Sequence, residues 1–249
     1  MGTEGKTEGK FDERFAEEVR ERMKQKTNTS HNIEDAIDQE ISQEEVKRAI
    51  KRLKRGKAVG VDNYMEIFHQ EAYPETWTRG LIFPIFKGGP IEDTYNPLKY
   101  RGITLLSVLG KLYAAILNER VTLWIESRGI LVEEQAGFRR DRSTVDQLFI
   151  LTEMIRNRSE ETYVCFIDIQ KAYDRVWRDG LWEKLHGYGM QGKMWRVLKN
   201  IYDSVESSVL INEGQSRFFS IDTGKGVYFP QSSLRSISMG WQRRSTGRN

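Results

Sequence analysis

Cysteine is nearly absent: Cys165 is the single one in 249 residues. Neither an intrachain disulfide nor a zinc cluster can form from it, which fits a reducing intracellular compartment, cytoplasmic or nuclear. No apolar run approaches the length of a membrane span, and the opening MGTEGKTEGK lacks the apolar core of a signal peptide. A soluble protein with no membrane partner is expected. Net charge is only +3, too little to argue for nucleic acid by itself. Its distribution says more. Lys47, Arg48, Lys51, Arg52, Lys54, Arg55 and Lys57 crowd one stretch, and Arg139, Arg140 and Arg142 another. Such runs are usually solvated faces.

Periodicity orders the rest. Residues 1–41 are charged and poor in apolar side chains, predicting a polar, partly disordered segment with a frayed helix over 11–24 and then a linker. Ser42-Gln-Glu-Glu45 matches a capping box, Val46, Ala49, Ile50 and Leu53 follow at helical spacing, and Gly56 ends the helix. Residues 77–89 read as a strand closing in Lys87 and a glycine turn. Residues 99–121 read as a short strand and a long amphipathic helix that stops at Gly129. A loop over 133–142 precedes a second boxed helix, with Ser143 and Asp146 as the box. Asp179 caps a helix carrying Trp182 and Leu185. Gly187 and Gly189 then turn into a helix over 193–202 with Met194, Trp195, Leu198 and Ile201 as core. Residues 207–221 alternate around Asn212-Glu-Gly214, a hairpin signature.

The most informative stretch is YVCFIDIQKAYDRVW, residues 163–177. Five apolar or aromatic residues lead into Asp168, the pattern of a strand buried on both faces. A carboxylate at the end of such a strand is costly to desolvate unless a cation meets it. Two readings stay open on these residues alone. The acid caps the next helix or pairs with Lys171 or Arg175, or it holds a metal.

The same stretch resembles the first catalytic motif of reverse transcriptases, hydrophobic-x-Asp-x-x-x-Ala-(Phe/Tyr)-Asp, and is most similar to the polymerases of non-LTR (LINE-type) retrotransposons. The resemblance spans roughly residues 42–227, its blocks lying in the family's order. It implies an α+β fold: polymerase fingers over 42–158 and a partial, truncated ferredoxin-like palm of a right-hand reverse transcriptase over 159–227, with a non-homologous tail over 228–249. It implies that Asp168 and the Ile169 carbonyl bind catalytic Mg²⁺ or Mn²⁺, two ions roughly 4 Å apart in this chemistry. Tyr173 would lie under the sugar of the incoming nucleotide and exclude a 2′-hydroxyl. Lys87 and Arg101 would hold its triphosphate, a point charge and a planar fork respectively. On the residues alone, Arg101 pairing with Glu92 or Asp93 is the competing reading. Gln135, Gly137, Phe138 and Arg139 would line the template, with Phe138 stacking and Arg139 on a phosphate; Phe138 reads equally well as core. The implied partners are an RNA template, a DNA primer and dNTP.

Two departures accompany the match. Between Phe68 and Glu75 the chain is shorter than the family pattern. After Gly226-Val227 the sequence reads YFPQSSLRSISMGWQRRSTGRN, and no aspartate follows Asp222. The family's second metal-binding pair, (Tyr/Phe)-Ala-Asp-Asp, is not among these residues, so inactivity of this stretch alone is expected. Shifting the frame by one nucleotide over residues 227–235 permits a family-like Ser-Pro-x-Leu-Phe reading, and a frameshift or gene-model origin of the tail is the matching expectation. Alongside a polymerase domain fragment stand two alternatives: a non-catalytic nucleic-acid-binding remnant and a translated pseudogene fragment without function.

Overall fold

The computed structural model describes residues 12–29, 35–52, 70–71, 74–158, 161–167, 176–203, 205–211 and 214–221. Its described elements are α+β. Helices are α1 (Glu13–Thr29), α2 (Gln43–Arg52), the single turn α3 (Glu75–Thr78), α4 (Val108–Ser127), α5 (Thr144–Arg156), α6 (Arg178–Gly187) and α7 (Lys193–Asp203). Strands are β1 (Arg79–Phe86), β2 (Tyr100–Leu105), β3 (Glu206–Ile211), β4 (Gly214–Gln215) and β5 (Phe219–Ser220). They make one mixed sheet in the order β2-β1-β3-β4, with β5 also on β3. β1 runs antiparallel to β2 and parallel to β3, pairing Arg79 with Glu206 and Ile82 with Val209. The hairpin read from Asn212-Glu-Gly214 thus shares a sheet with β1, which leads directly into Lys87; Asn212 and Glu213 lie outside the described residues.

The core is built on α4. Leu112, Tyr113, Ile116, Leu117, Val121, Trp124 and Ile125 are all buried, each apolar side chain among them contributing about 1.5–3 kcal/mol. Against it pack Leu181, Trp182 and Leu185 of α6, and Met194, Trp195, Leu198 and Ile201 of α7. The last four are the side chains that helical spacing marked as core. Trp195 donates its indole N–H to the Trp182 carbonyl at 3.1 Å, satisfying a polar atom in apolar surroundings.

The helix expected over 11–24 is present as α1, but where residues 12–41 are described they are docked and less polar in their contacts than expected. α1 lays Ala16, Val19 and Met23 into the core and ties itself to α6 through Arg20–Asp179 and Arg22–Glu183, at 3.3 and 2.9 Å. Ile37 and Ile41 are buried as well. Apolar residues spaced three and four apart suffice for a docked helix even when charge dominates the composition. Asp179 is correspondingly not a cap. α6 begins after Trp177, which makes no side-chain cap bond, and the Asp179 carboxylate is taken by Arg20.

The buried-strand reading of residues 163–167 is overturned. These residues belong to no strand, and Tyr163, Phe166, Ile167 and Cys165 are exposed, Ile167 at 85 %. An apolar run states that a segment gains by burial and does not say what covers it. The described sheet pairs β1 with β3 and brings no neighbour to this segment. Gly56 lies outside the described residues.

Candidate functional site

The β1–β2 hairpin sets two cations side by side. Its register pairs Ile85 with Arg101 and Phe86 with Tyr100, and the ladder runs one step further, Lys87 donating its backbone N–H to the Lys99 carbonyl at 2.9 Å. Side chains alternate faces along a strand, so Ile85, Lys87, Lys99 and Arg101 share one face. On that face Lys87 is the diagonal neighbour of Arg101, a spacing of about 7–8 Å between backbones, within which two long side chains can grip one phosphate chain. Phe86 and Tyr100 meet on the opposite face with ring centroids 5.3 Å apart and planes tilted by 51°, tying the strands together at that point.

The connection after Lys87 demands glycine. Gly88 and Gly89 have φ of 92° and 133°, the region that side chains avoid, and a Cβ on Gly89 would lie 2.7 Å from an Asp93 carboxylate oxygen. Asp93 in turn bonds Lys99 at 2.9 Å. Of the two competing partners offered for Arg101, Asp93 is therefore spent on a neighbour and Glu92 makes no ion pair with it, and Arg101 is exposed without an ion pair among the described residues. Lys87 rests its ammonium on the Leu98 carbonyl at 2.9 Å. Such a bond leaves its positive charge uncompensated and available to an anion.

The second candidate group lies in the loop between α4 and α5. Phe138 is exposed and adopts φ of 66°, and Gly137 beside it is exposed with nothing near its Cβ position. Gln135 is half-buried and donates its N–H to the Val132 carbonyl at 3.1 Å. Arg139 is committed elsewhere. It is 10 % exposed, its Nε and Nη2 donate to the Glu126 carboxylate at 3.0 and 2.8 Å, and Nη1 donates to the Val132 carbonyl at 3.1 Å. The implied phosphate contact would have to displace an acid already held by two bonds. Sequence reading missed Glu126 because the pair spans two elements and no periodicity links them. Arg142 makes the same kind of contact with Glu133, and Arg140 lies 3.8 Å from Glu119.

Asp168, Ile169 and Tyr173 lie outside the described residues. Among the described residues no group of three or more His, Cys, Asp or Glu side chains is placed to hold a metal ion, and no helix is long and apolar enough to cross a membrane. Sequence reading also missed a tight acid–base junction between α4 and residues 37–45. Arg120 of α4 donates to both Glu45 carboxylate oxygens, at 2.6 and 2.9 Å, to the Glu40 carbonyl at 2.8 Å, to the Ile37 carbonyl at 3.3 Å and to the Gln39 carbonyl. Burial pushes the Glu45 carboxyl up, but Arg120 and the Ser42 N–H and hydroxyl outweigh it and hold it at about 2. This junction anchors residues 35–45 to α4.

Comparison with known proteins adds an independent line. The family model for reverse transcriptase (RNA-dependent DNA polymerase) matches residues 87–227. The chain is 38 % identical over 125 residues to the probable RNA-directed DNA polymerase from transposon BS of Drosophila melanogaster, covering 49 % of this chain and 14 % of that protein. It is 35 % identical over 122 residues to the probable RNA-directed DNA polymerase from transposon X-element of the same species, covering 48 % and 13 %. A third relative, the RNA-directed DNA polymerase from mobile element jockey of Drosophila funebris, is 27 % identical over 168 residues, 65 % of this chain and 17 % of that one. The matched stretches thus make up less than a fifth of these relatives' length.

Proposed function

This chain belongs to the reverse transcriptase (RNA-dependent DNA polymerase) family, and from that premise we propose that it supplies the fingers and part of the palm of a LINE-type retrotransposon polymerase, which adds dNTPs to a DNA primer along an RNA template. The observation that carries the reading is the β1–β2 register: Lys87 and Arg101 share one face, and Asp93 pairs with Lys99 instead of Arg101. A cation of each kind beside the other suits a triphosphate, Lys as a point charge and Arg as a fork for two oxygens.

Around that pair, Tyr173 would sit beneath the nucleotide's sugar, and Gln135, Gly137 and Phe138 would meet the template. Arg139 braces the loop that presents them, through Glu126. Asp168 and the Ile169 carbonyl offer oxygen donors, the chemistry that Mg²⁺ or Mn²⁺ prefers. Bound there, the metal would stabilise the charge on the nucleotide's phosphates. A compartment with nucleic acid, cytoplasmic or nuclear, goes with this reading.

Arg101→Ala and Lys87→Ala should each weaken dNTP binding to a primer–template complex of the chain about tenfold, the scale of one lost charge-assisted hydrogen bond. Arg101→Lys should recover only part. Unchanged nucleotide affinity in both alanine variants would sink the assignment. A primer-extension assay with Mg²⁺ or Mn²⁺ separates a chain that extends the hybrid from one that only holds it.

A further inference from the structure

Glu126 stands in the last turn of α4, the end at which the helix dipole disfavours an acid. The helix itself gains nothing from a carboxylate there. Its partner comes from the loop that follows. Arg139 Nε and Nη2 donate to the carboxylate at 3.0 and 2.8 Å, while Nη1 donates to the Val132 carbonyl at 3.1 Å and to the Gln135 carbonyl at 3.5 Å. One guanidinium, 10 % exposed, thereby pins the turn 132–139 to α4.

The residue just before that arginine is strained. Phe138 has φ of 66°, a conformation that a bulky side chain rarely adopts, while Gly137 beside it, which could adopt it freely, does not. Such strain persists only where the surroundings impose it. Here the fixed guanidinium of the next residue imposes it.

Charge does not account for the arrangement as a phosphate dock. Over 133–142 the acids Glu133, Glu134 and Asp141 balance Arg139, Arg140 and Arg142. Arg142 is held by Glu133, which also lies 3.7 Å from Arg139, and Arg140 lies 3.8 Å from a Glu119 that Arg52 already bonds twice. What this loop offers a nucleic acid is the Phe138 ring, 45 % exposed, and a ring stacks only when it is aimed.

We propose that Glu126 is a positioning residue: acting through Arg139, it holds Phe138 in the left-handed conformation and so sets the direction of its ring. This rests on the reading above, in which Phe138 meets the template.

The test is a double-mutant cycle read by fluorescence anisotropy, with the full chain, one salt concentration and a labelled RNA–DNA hybrid carrying an unpaired RNA extension. Glu126→Ala removes a negative charge, which by electrostatics alone would strengthen binding. Positioning requires the reverse, a loss of about threefold, the scale of coupling between interacting residues. Phe138→Ala should lose about fivefold or more, the scale of one stacked base, and Glu126→Ala should cost nothing further in that background. Glu126→Gln, whose amide oxygen still accepts from Arg139, should recover part of the loss. Circular dichroism fixes the folded fraction to which each affinity is referred, and Glu126→Gln carries the cycle if Glu126→Ala does not fold. Unchanged or tighter binding by the Glu126 variants, or an equal loss with and without the Phe138 ring, would overturn the inference and leave the template assignment of Phe138 standing. Unchanged binding by Phe138→Ala would remove that assignment and the inference together, as would a wild-type chain that binds no hybrid.

Discussion

The Asp38 carboxylate accepts the Met194 backbone N–H at 2.6 Å and so caps α7 from a position 156 residues earlier in the chain. Two features guard the contact. A Cβ on Gly192 would sit 2.0 Å from an Asp38 carboxylate oxygen, and Lys193 adds a 2.8 Å ion pair to Glu40. Gly192→Ala forces the cap aside, and Asp38→Ala removes it. Each should cost about 1 kcal/mol in urea unfolding.

Burial lifts the Asp38 carboxyl above its ordinary value, and the Met194 N–H only partly draws it back. A lifted carboxyl contributes its full stability below the unfolded-state value and loses part of it as pH rises through the lifted one. Asp38→Asn keeps an oxygen acceptor without the charge. It should equal or exceed wild type in stability at pH 7, and that advantage should shrink or reverse as pH drops toward 3, where the protonated Asp38 regains its contribution. A D38N protein markedly less stable than wild type at pH 7 would contradict this.

At the Arg120 junction the sign is the opposite. Glu45 is held at about 2 against an ordinary 4.5, so its contribution is complete above that ordinary value and disappears as pH falls from 4.5 toward 2. The difference in unfolding free energy from urea titration between wild type and Glu45→Gln should therefore be largest near neutrality, about 1–2 kcal/mol after allowance for solvent screening, and should shrink by pH 2. Arg120→Met strips the partner from a half-buried acid and from the carbonyls of Ile37, Gln39 and Glu40. A loss of about 3–5 kcal/mol is expected.

Arg139 separates bracing from binding. If its guanidinium serves Glu126, Arg139→Ala should lower stability by about 1–3 kcal/mol and leave the slope of log affinity against log salt for a hybrid unchanged. A slope reduced by about one would instead reveal a direct phosphate contact.

How far the chain could be read in advance depended on whether a signal was local. Both capping boxes are present as spelled. Ser42 and Glu45 exchange bonds at 2.8 and 3.3 Å, and Ser143 and Asp146 at 2.9 and 3.2 Å. The helix predicted from residue 99 onward begins at Val108 behind its strand, and Gly129 follows its end with φ of 59°. What could not be read was long-range choice: which strand β1 takes as its parallel neighbour, which helix α1 docks on, and whether Arg139 faces a phosphate or Glu126. In each case several partners satisfy the same one-dimensional pattern. Residues 163–167 show the converse, a strong local pattern for a strand with no partner strand among the described residues.

That uncovered stretch makes its own forecast. Phe166 is 85 % exposed, so Phe166→Lys should shift stability by no more than about 0.5 kcal/mol and reduce self-association in sedimentation, since short apolar β-prone segments seed intermolecular pairing. A large loss of stability would mean that another part of the molecule covers this side chain.

The parallel pairing of Arg79 with Glu206 also sets a clock on the ribosome. The guanidinium of Arg79 meets its acid 127 residues later in the chain, at 3.1 Å. At synthesis speeds of about 5–20 residues per second, roughly 6–25 s pass before β1 can acquire that neighbour. Through that interval one edge of the β1–β2 hairpin stays open, and nascent chains that crowd together then are the ones at risk of pairing with each other.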